Sequence, residues 1–400
     1  MRYALLLPIL LLGACSAASS QSGSADHSDA VAHARSLLRS TPLVDGHNDL
    51  PWAVRQNEAA PHDVVAYDLR TRTGGHTDIE RLRQGMVGAQ FWSVYIPFNA
   101  VEDGAAKTQL EQIDIAHQII QRYPDVFELA LTSTDVDRIF RSGRIASMLG
   151  MEGGHAIENS LGALRAFYDL GVRYMTLTHS ANLDWADSCC ALREHGGLTE
   201  FGREVVREMN RLGMIVDLSH VSGESMHDAL DVTEAPVMFS HSSARAVTAH
   251  PRNVPDDVLV RMRQNGGVVM VTIVPSFVSN EVMAWSQLAP TERRQTAAPN
   301  ATIDDVIRHI EHVRDVAGVD HVGIGADYDG IDSTPVGLED VSTYPVLFAE
   351  LIRRGWSDED LRKLAGENAM RVWRETERVA ARLRQQRPAS TATIEALDGR

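Results

Sequence analysis

The sequence predicts a (β/α)8 barrel. Eight short apolar runs alternate with longer amphipathic ones over roughly 340 residues, the span such a fold needs once insertions are added. Residues of metal-ligand type follow six of the eight runs. An open doubly wound sheet is the competing architecture. It would usually carry a glycine-rich turn after its first strand, and Asp45-Gly46-His47-Asn48-Asp49 is not that turn.

In chain order the predicted strands are Leu43–His47, Ala89–Ile96, Ile145–Met151, Tyr174–Thr178, Ile215–Leu218, Val237–Phe239, Val268–Ile273 and Val322–Gly325. Helical periodicity lies between them, at Asp78–Gln84, Gln109–Arg122, Leu161–Leu170, Thr199–Leu212, Pro255–Gln264 and Thr302–Val316. Thr199 ahead of Glu200, and Thr302 ahead of Asp304 and Asp305, are helix-opening signatures.

The flanks differ from this body, which is expected to be one unit over 30–384. Arg2, the apolar run Ala4–Leu12 and the small residues before Cys15 describe an export signal over 1–14, too short to span a bilayer. Leu12-Gly13-Ala14-Cys15 resembles a bacterial lipoprotein signal, which would make Cys15 a lipid-bearing mature N-terminus on the cell envelope. An ordinary secretory signal cut near Ala17-Ala18 would instead give a secreted or periplasmic protein. Residues 16–29 read as a polar tether, and 385–400 as a flexible tail. Cys189 and Cys190 are adjacent, cannot build a disulfide framework, and are expected to be buried free thiols.

The chain has 400 residues, 44% hydrophobic and 23% charged, which excludes disordered and collagen-like classes. Its 54 acidic against 38 basic residues give a net charge of −16, so a phosphate backbone is not an expected partner. Contact with a membrane is expected through an N-terminal lipid only.

The polar residues at the strand ends carry the chemistry. His47 and Asp49 end the first run, and Glu152 follows the third. His179, His220 and His241 follow the fourth, fifth and sixth, and Asp327 follows the eighth. In a barrel all carboxyl ends meet at one mouth, so these residues become neighbours and could bind a cation of borderline hardness. Taken singly, each is more often a helix cap or a satisfied core residue; the repetition is what points to metal. His62, His76, His117, His309 and His312 lie in loops or amphipathic helices and are expected to be solvated.

The segments Val44-Asp45-Gly46-His47-Asn48-Asp49-Leu50-Pro51, Gln90-Phe91-Trp92-Ser93-Val94-Tyr95, Glu152-Gly153-Gly154-His155, Leu177-Thr178-His179-Ser180, Asp217-Leu218-Ser219-His220, Ser240-His241-Ser242-Ser243-Ala244, Arg252-Asn253-Val254-Pro255-Asp256-Asp257 and Gly325-Ala326-Asp327-Tyr328-Asp329-Gly330 occur in one order over about 43–375. As a set they resemble the membrane (renal-type) dipeptidases, the M19 zinc peptidases of the amidohydrolase superfamily. The resemblance implies a (β/α)8 fold and two zinc ions per chain. His47 and Asp49 would hold one, His220 and His241 the other, and Glu152 would bridge them. It further implies His179 and Arg252 as substrate-binding residues, Asp327 as the catalytic acid/base, and dipeptides as substrates; whether a D-residue is accepted at the C-terminal position stays open in the sequence. Members of that family are often dimers, so a homodimer is compatible with it. The chain departs from mammalian members in having no hydrophobic C-terminal tail.

The residue chemistry agrees. Paired cations need a bridging anion, a carboxylate or a carbamylated lysine. The only lysines are Lys107, in a polar stretch, and Lys363, in a C-terminal helical pattern, so no lysine ends a strand. Two cations sharing a water would generate hydroxide near neutral pH to attack the scissile carbonyl. Asp327 would carry its proton to the leaving amine, His179 would help stabilise the oxyanion, and Arg252 suits a free carboxylate. Two other classes stay open at this point: an amidohydrolase of lactones, lactams or phosphotriesters, and a lipid-anchored binding module without chemistry.

Overall fold

The computed structural model describes residues 18–399. The expected export signal, with Cys15, lies outside the described residues. Nine strands form: β1 (Leu43–Asn48), β2 (Val87–Ser93), β3 (Phe127–Leu129), β4 (Ile145–Glu152), β5 (Val172–Thr176), β6 (Ile215–Asp217), β7 (Met238–Phe239), β8 (Val268–Val271) and β9 (Val322–Ile324). All pairings between them are parallel. Eight strands close into a barrel in the order β1-β2-β4-β5-β6-β7-β8-β9, and β9 returns to β1. The helices lie outside, so the strands are buried on both faces, and their polar residues, such as Asp45, His47, Gln90 and Glu152, are buried with the apolar ones.

Each of the eight expected strands is present, with its ends displaced by a few residues. The ninth, β3, adds outside the ring, where Phe127, Glu128 and Leu129 pair with the first three residues of β4. The helix signatures hold as caps. Thr199 Oγ1 accepts from Gly202 N–H (3.3 Å), and the Asp305 carboxylate accepts from the Thr302 N–H (2.7 Å) and hydroxyl (2.9 Å).

The inside and outside of the barrel pack separately. Val44, Ala89, Phe91, Met148, Tyr174, Met238, Val268 and Met270 fill the interior. Met370, Val372 and Trp373, from the helix Asn368–Gln386, join this cluster at the amino ends of the strands. The Phe91 ring lies 6.1 Å from Trp373 and 5.1 Å from Tyr174, so an aromatic column climbs the barrel towards its mouth.

The flanks differ from expectation. A helix runs from Ala18 to Leu38, through most of the span expected to be a tether. It buries Ala30, Ala34, Leu37 and Leu38, one face at helical spacing, against the helix Tyr344–Arg353. The expected flexible tail is ordered as well. Ile394 is buried at the start of a last helix, Ile394–Asp398. The Asp398 carboxylate accepts from the Thr199 hydroxyl (2.6 Å) and Phe201 N–H (3.2 Å), while Ser390 N–H donates to Glu208 (3.3 Å). Polar residues that read as solvated are partnered by the helix Glu200–Leu212. Among the described residues no helix is long and apolar enough to cross a membrane.

Candidate active site

The residues expected at the strand ends meet at the carboxyl mouth of the barrel. Glu152, the last residue of β4, sits at the centre. Its Oε2 lies 3.4 Å from His47 Nε2, and its Oε1 lies 3.0 Å from His220 Nε2 and 3.3 Å from His241 Nε2. Asp49 Oδ2 and Asp327 Oδ1 approach His47 Nε2 at 3.2 and 4.0 Å, and His179 Nε2 is 3.7 Å from Glu152 Oε1. These donors fall into overlapping groups: His47, Glu152 and His241; Glu152, His179 and His220; His47, Asp49 and Asp327. His179 and Asp327 thus belong to the same cluster as the expected ligands, at slightly longer distances.

The local backbone is shaped to present them. His220, Asp327 and Asp329 adopt left-handed φ values of 69°, 74° and 65°, a conformation that costs free energy for residues other than glycine. Asp327 N–H donates to His47 O (3.1 Å), tying β9 to β1, and Asp329 and His76 exchange hydrogen bonds at 2.6 and 3.0 Å. Gly330 must lack a side chain, because a Cβ there would lie 2.6 Å from Asp327 Oδ1 and collide with Asp49.

Residues beneath the mouth set the imidazole tautomers. The Tyr174 hydroxyl is 2.8 Å from His47 Nδ1 and 3.3 Å from Gly46 O. Since it donates to the carbonyl, it accepts from Nδ1–H and leaves the His47 Nε2 lone pair facing Glu152. Ser240 does the same for His241. Its hydroxyl donates to Asp217 Oδ2 (2.6 Å) and accepts from His241 Nδ1–H (2.8 Å). The buried Asp217 carboxylate also accepts from the Thr176 hydroxyl (2.5 Å). Asp45 similarly accepts from Tyr344, His47 N–H and Ala326 N–H, fixing the end of β1.

This donor set fits a divalent metal. His47 Nε2 and Asp49 Oδ1 are buried without hydrogen-bond partners, and His220 Nε2 and His241 Nε2 face each other at 2.9 Å. Imidazole nitrogens and carboxylate oxygens with no sulfur suit zinc and its neighbours. Burial alone would raise Glu152, yet the facing imidazoles of His47 and His179 hold its carboxyl well below the usual range. Burial pushes Asp327 well above that range, and the carboxylates of Asp49 and Glu152 add to the shift. Neither lysine comes near. Lys107 is exposed on the helix Ala105–Arg122, and Lys363 pairs with Asp320 at 2.9 Å.

A cavity of about 520 Å³ opens over this centre. Arg252 is buried in its wall, where it donates to Ser242 Oγ (3.2 Å) and His241 O (3.1 Å) and lies 5.3 Å from the Phe277 ring centre; its Nε has no partner. Trp52, Tyr95, Phe277 and Ile331 complete an apolar lining. Tyr95 stands 4.9 Å from both the Trp52 and His179 rings, and burial raises its hydroxyl to about 12. The sequence assigned no role to these four, nor to Tyr174, Asp217 and Ser240. The linings lie in loops or in short helices of four to six residues, too short to show a period, and the supporting residues lie in strands or adjoin an assigned histidine.

Two expectations are corrected away from the mouth. His309 is fully buried and not solvated: its Nδ1 accepts from Ala244 N–H (3.0 Å), its Nε2 faces Val278 O (3.2 Å), and burial lowers it to about 4. Of the adjacent thiols, Cys189 is half-buried and Cys190 exposed. An amphipathic helix and a small polar loop carry too little pattern to settle either point.

Comparison with known proteins agrees with this geometry. The family model for membrane dipeptidase (peptidase family M19) matches residues 31–387. The dipeptidase verJ of Clonostachys rogersoniana is 44% identical over 368 residues, covering 89% of this chain and 90% of that one. The crystal structure of a metallopeptidase from Rhodobacter sphaeroides, liganded with a phosphinate mimic of L-Ala-D-Ala, superposes with a TM-score of 0.72 at 28% identity, over 84% of this chain and 99% of that one. The probable dipeptidase PvdM of Pseudomonas aeruginosa shares the fold, with a TM-score of 0.77 at 23% identity over 88% of this chain and 100% of that one.

Proposed function

This chain belongs to the membrane dipeptidase family, peptidase family M19, and from that premise we propose that it is a binuclear zinc dipeptidase acting on L,L- and L,D-dipeptides. The observation that carries the metal assignment is Glu152, whose two oxygens face different imidazoles: Oε2 towards His47, Oε1 towards His220 and His241. On this reading His47 and Asp49 hold one zinc, His220 and His241 the other, and Glu152 both. Zinc held by these residues would supply polarisation of the scissile carbonyl and a bound water of lowered pKa.

The chain's own residues do the rest. Asp327, held high by burial, takes a proton and returns it to the leaving amine. His179, lowered by burial and so neutral, donates from Nε2 to the developing oxyanion. Arg252, with its Nε unpartnered, takes the free carboxylate of the substrate, which seats the C-terminal residue beside the scissile bond. Trp52, Tyr95 and Phe277 exclude water around the scissile bond. Acceptance of a C-terminal D-residue is supported by the ligand of the Rhodobacter sphaeroides relative.

The same proposal places the enzyme outside the cytoplasm, anchored through lipid on Cys15. Arg2, the apolar run Ala4–Leu12 and Leu12-Gly13-Ala14-Cys15 support it. The test of activity is a kinetic survey of L,L- and L,D-dipeptides on zinc-loaded enzyme. Hydrolysis of both stereochemical series is expected. Turnover of lactones or lactams with no dipeptide cleaved would overturn the assignment.

A further inference from the structure

The thiols of Cys189 and Cys190 lie with Sγ atoms 2.7 Å apart, inside the contact distance of two sulfurs. Both are free, Cys190 reaches solvent, and Cys189 lines a cavity of about 200 Å³ together with Arg193 and Arg245. Nothing in the proposed hydrolysis uses them. They are nevertheless wired to the site. Cys189 N–H donates to His220 O (2.8 Å), and Cys190 N–H to Ser188 Oγ (3.2 Å). That hydroxyl in turn donates to His179 O (2.6 Å).

We propose that Cys189 and Cys190 form a reversible oxidation site, closing to a vicinal disulfide whose formation slows hydrolysis at the adjoining centre. The oxidant is a small organic disulfide reaching the exposed Cys190 beside this cavity, whose wall holds Arg193 and Arg245 together with Asp187 and Glu224. Cys190 is the attacking thiol: its contact with Cys189 lowers it to about 7, with Arg252 adding to the effect, while that same contact and burial raise Cys189. The Cys190 thiolate attacks one sulfur of the oxidant, forming a mixed disulfide and releasing one thiol. Cys189 then attacks Cys190 Sγ, losing its proton and expelling the second thiol. The protein dithiol loses two electrons and the external disulfide gains them.

Reversibility follows from adjacency. Neighbouring Cα atoms across a trans peptide are about 3.8 Å apart, short of the roughly 4.4–6.8 Å usual for a disulfide, and no cis peptide occurs among the described residues. Such a ring is strained and readily reduced. Closing it turns the Cys189–Cys190 peptide, whose N–H, that of Cys190, supports His179 through Ser188, and shifts the adjoining Cys189 N–H that supports His220.

Zinc-loaded full-length enzyme is incubated with oxidised glutathione, alkylated and mapped by peptide mass. The expected result is a Cys189–Cys190 peptide lighter by two hydrogens and closed to alkylation. kcat/KM should fall about fivefold or more, recover with dithiothreitol, and stay constant in Cys190→Ser. Two alkylated cysteines, a stable glutathione adduct, or a bridge without loss of rate would overturn it. The rate arm rests on the dipeptidase reading and the mass arm does not. A bridged peptide from protein that cleaves no dipeptide would therefore sink that reading and leave the oxidation site standing.

Discussion

At the amino end of the barrel, Val44, Met370, Val372 and Trp373 pack as side chains whose only requirement is volume. Three residues further along β1, His47 is as fully buried as Val44, yet each of its ring nitrogens has a defined neighbour: Tyr174 at Nδ1, and Asp49 and Glu152 at Nε2. The mouth also stores strain in the left-handed backbones of His220, Asp327 and Asp329, at about 1–3 kcal/mol each. The amino end holds the fold together and tolerates repacking. The carboxyl end uses that rigidity to keep like charges and strained loops in register. Removing a group at one end should therefore cost stability, and at the other chemistry.

The largest effect on rate is expected at Asp327. Asp327→Asn keeps the shape but cannot take a proton, so kcat should fall about 10²–10⁴-fold, roughly 3–5 kcal/mol of barrier, with metal content unchanged. Loss of metal before loss of turnover would make Asp327 a ligand. At the opposite end, Trp373→Ala should cost about 3–5 kcal/mol of stability in urea unfolding and leave kcat of the folded enzyme alone. A lower kcat there would mean that the Trp373–Phe91–Tyr174 column transmits packing to His47, and the contrast between the ends would be less sharp. A smaller effect is expected beneath the mouth. Ser240→Ala removes the acceptor of His241 Nδ1–H and should weaken zinc binding about 10–100-fold, measured against a competing chelator. Unchanged affinity would show that His241 is oriented by something other than the Asp217–Ser240 pair.

The same contrast explains what the sequence made legible. Strands buried on both faces start as short apolar runs even where polar residues follow, so all eight barrel strands could be read. β3 could not, because Phe127-Glu128-Leu129 is broken by a glutamate, is only half-buried beyond Phe127, and pairs only at the edge of β4. Residues His47, Asp49, Glu152, His179, His220, His241 and Asp327 could be singled out by chemical type after the strands, and Arg252 through the family resemblance. Tyr174, Asp217 and Ser240 did not, since a buried hydroxyl or carboxylate acts through partners that only closure of the barrel supplies. The flanks were misjudged for a related reason. The polar residues of the tail read as solvated, but Thr199, Phe201 and Glu208 bind them.

In the proposed binuclear site Glu152 is where the two halves would meet, and one substitution tests whether it joins them. Purified wild type and Glu152→Gln would be dialysed against zinc-free buffer, with zinc per chain and dipeptide hydrolysis measured on the same samples. A bridging role predicts two zinc ions in the wild type, and loss of both ions and of hydrolysis in the variant. A variant that keeps two zinc ions at wild-type affinity would contradict the bridge, and with it the binuclear account of this site.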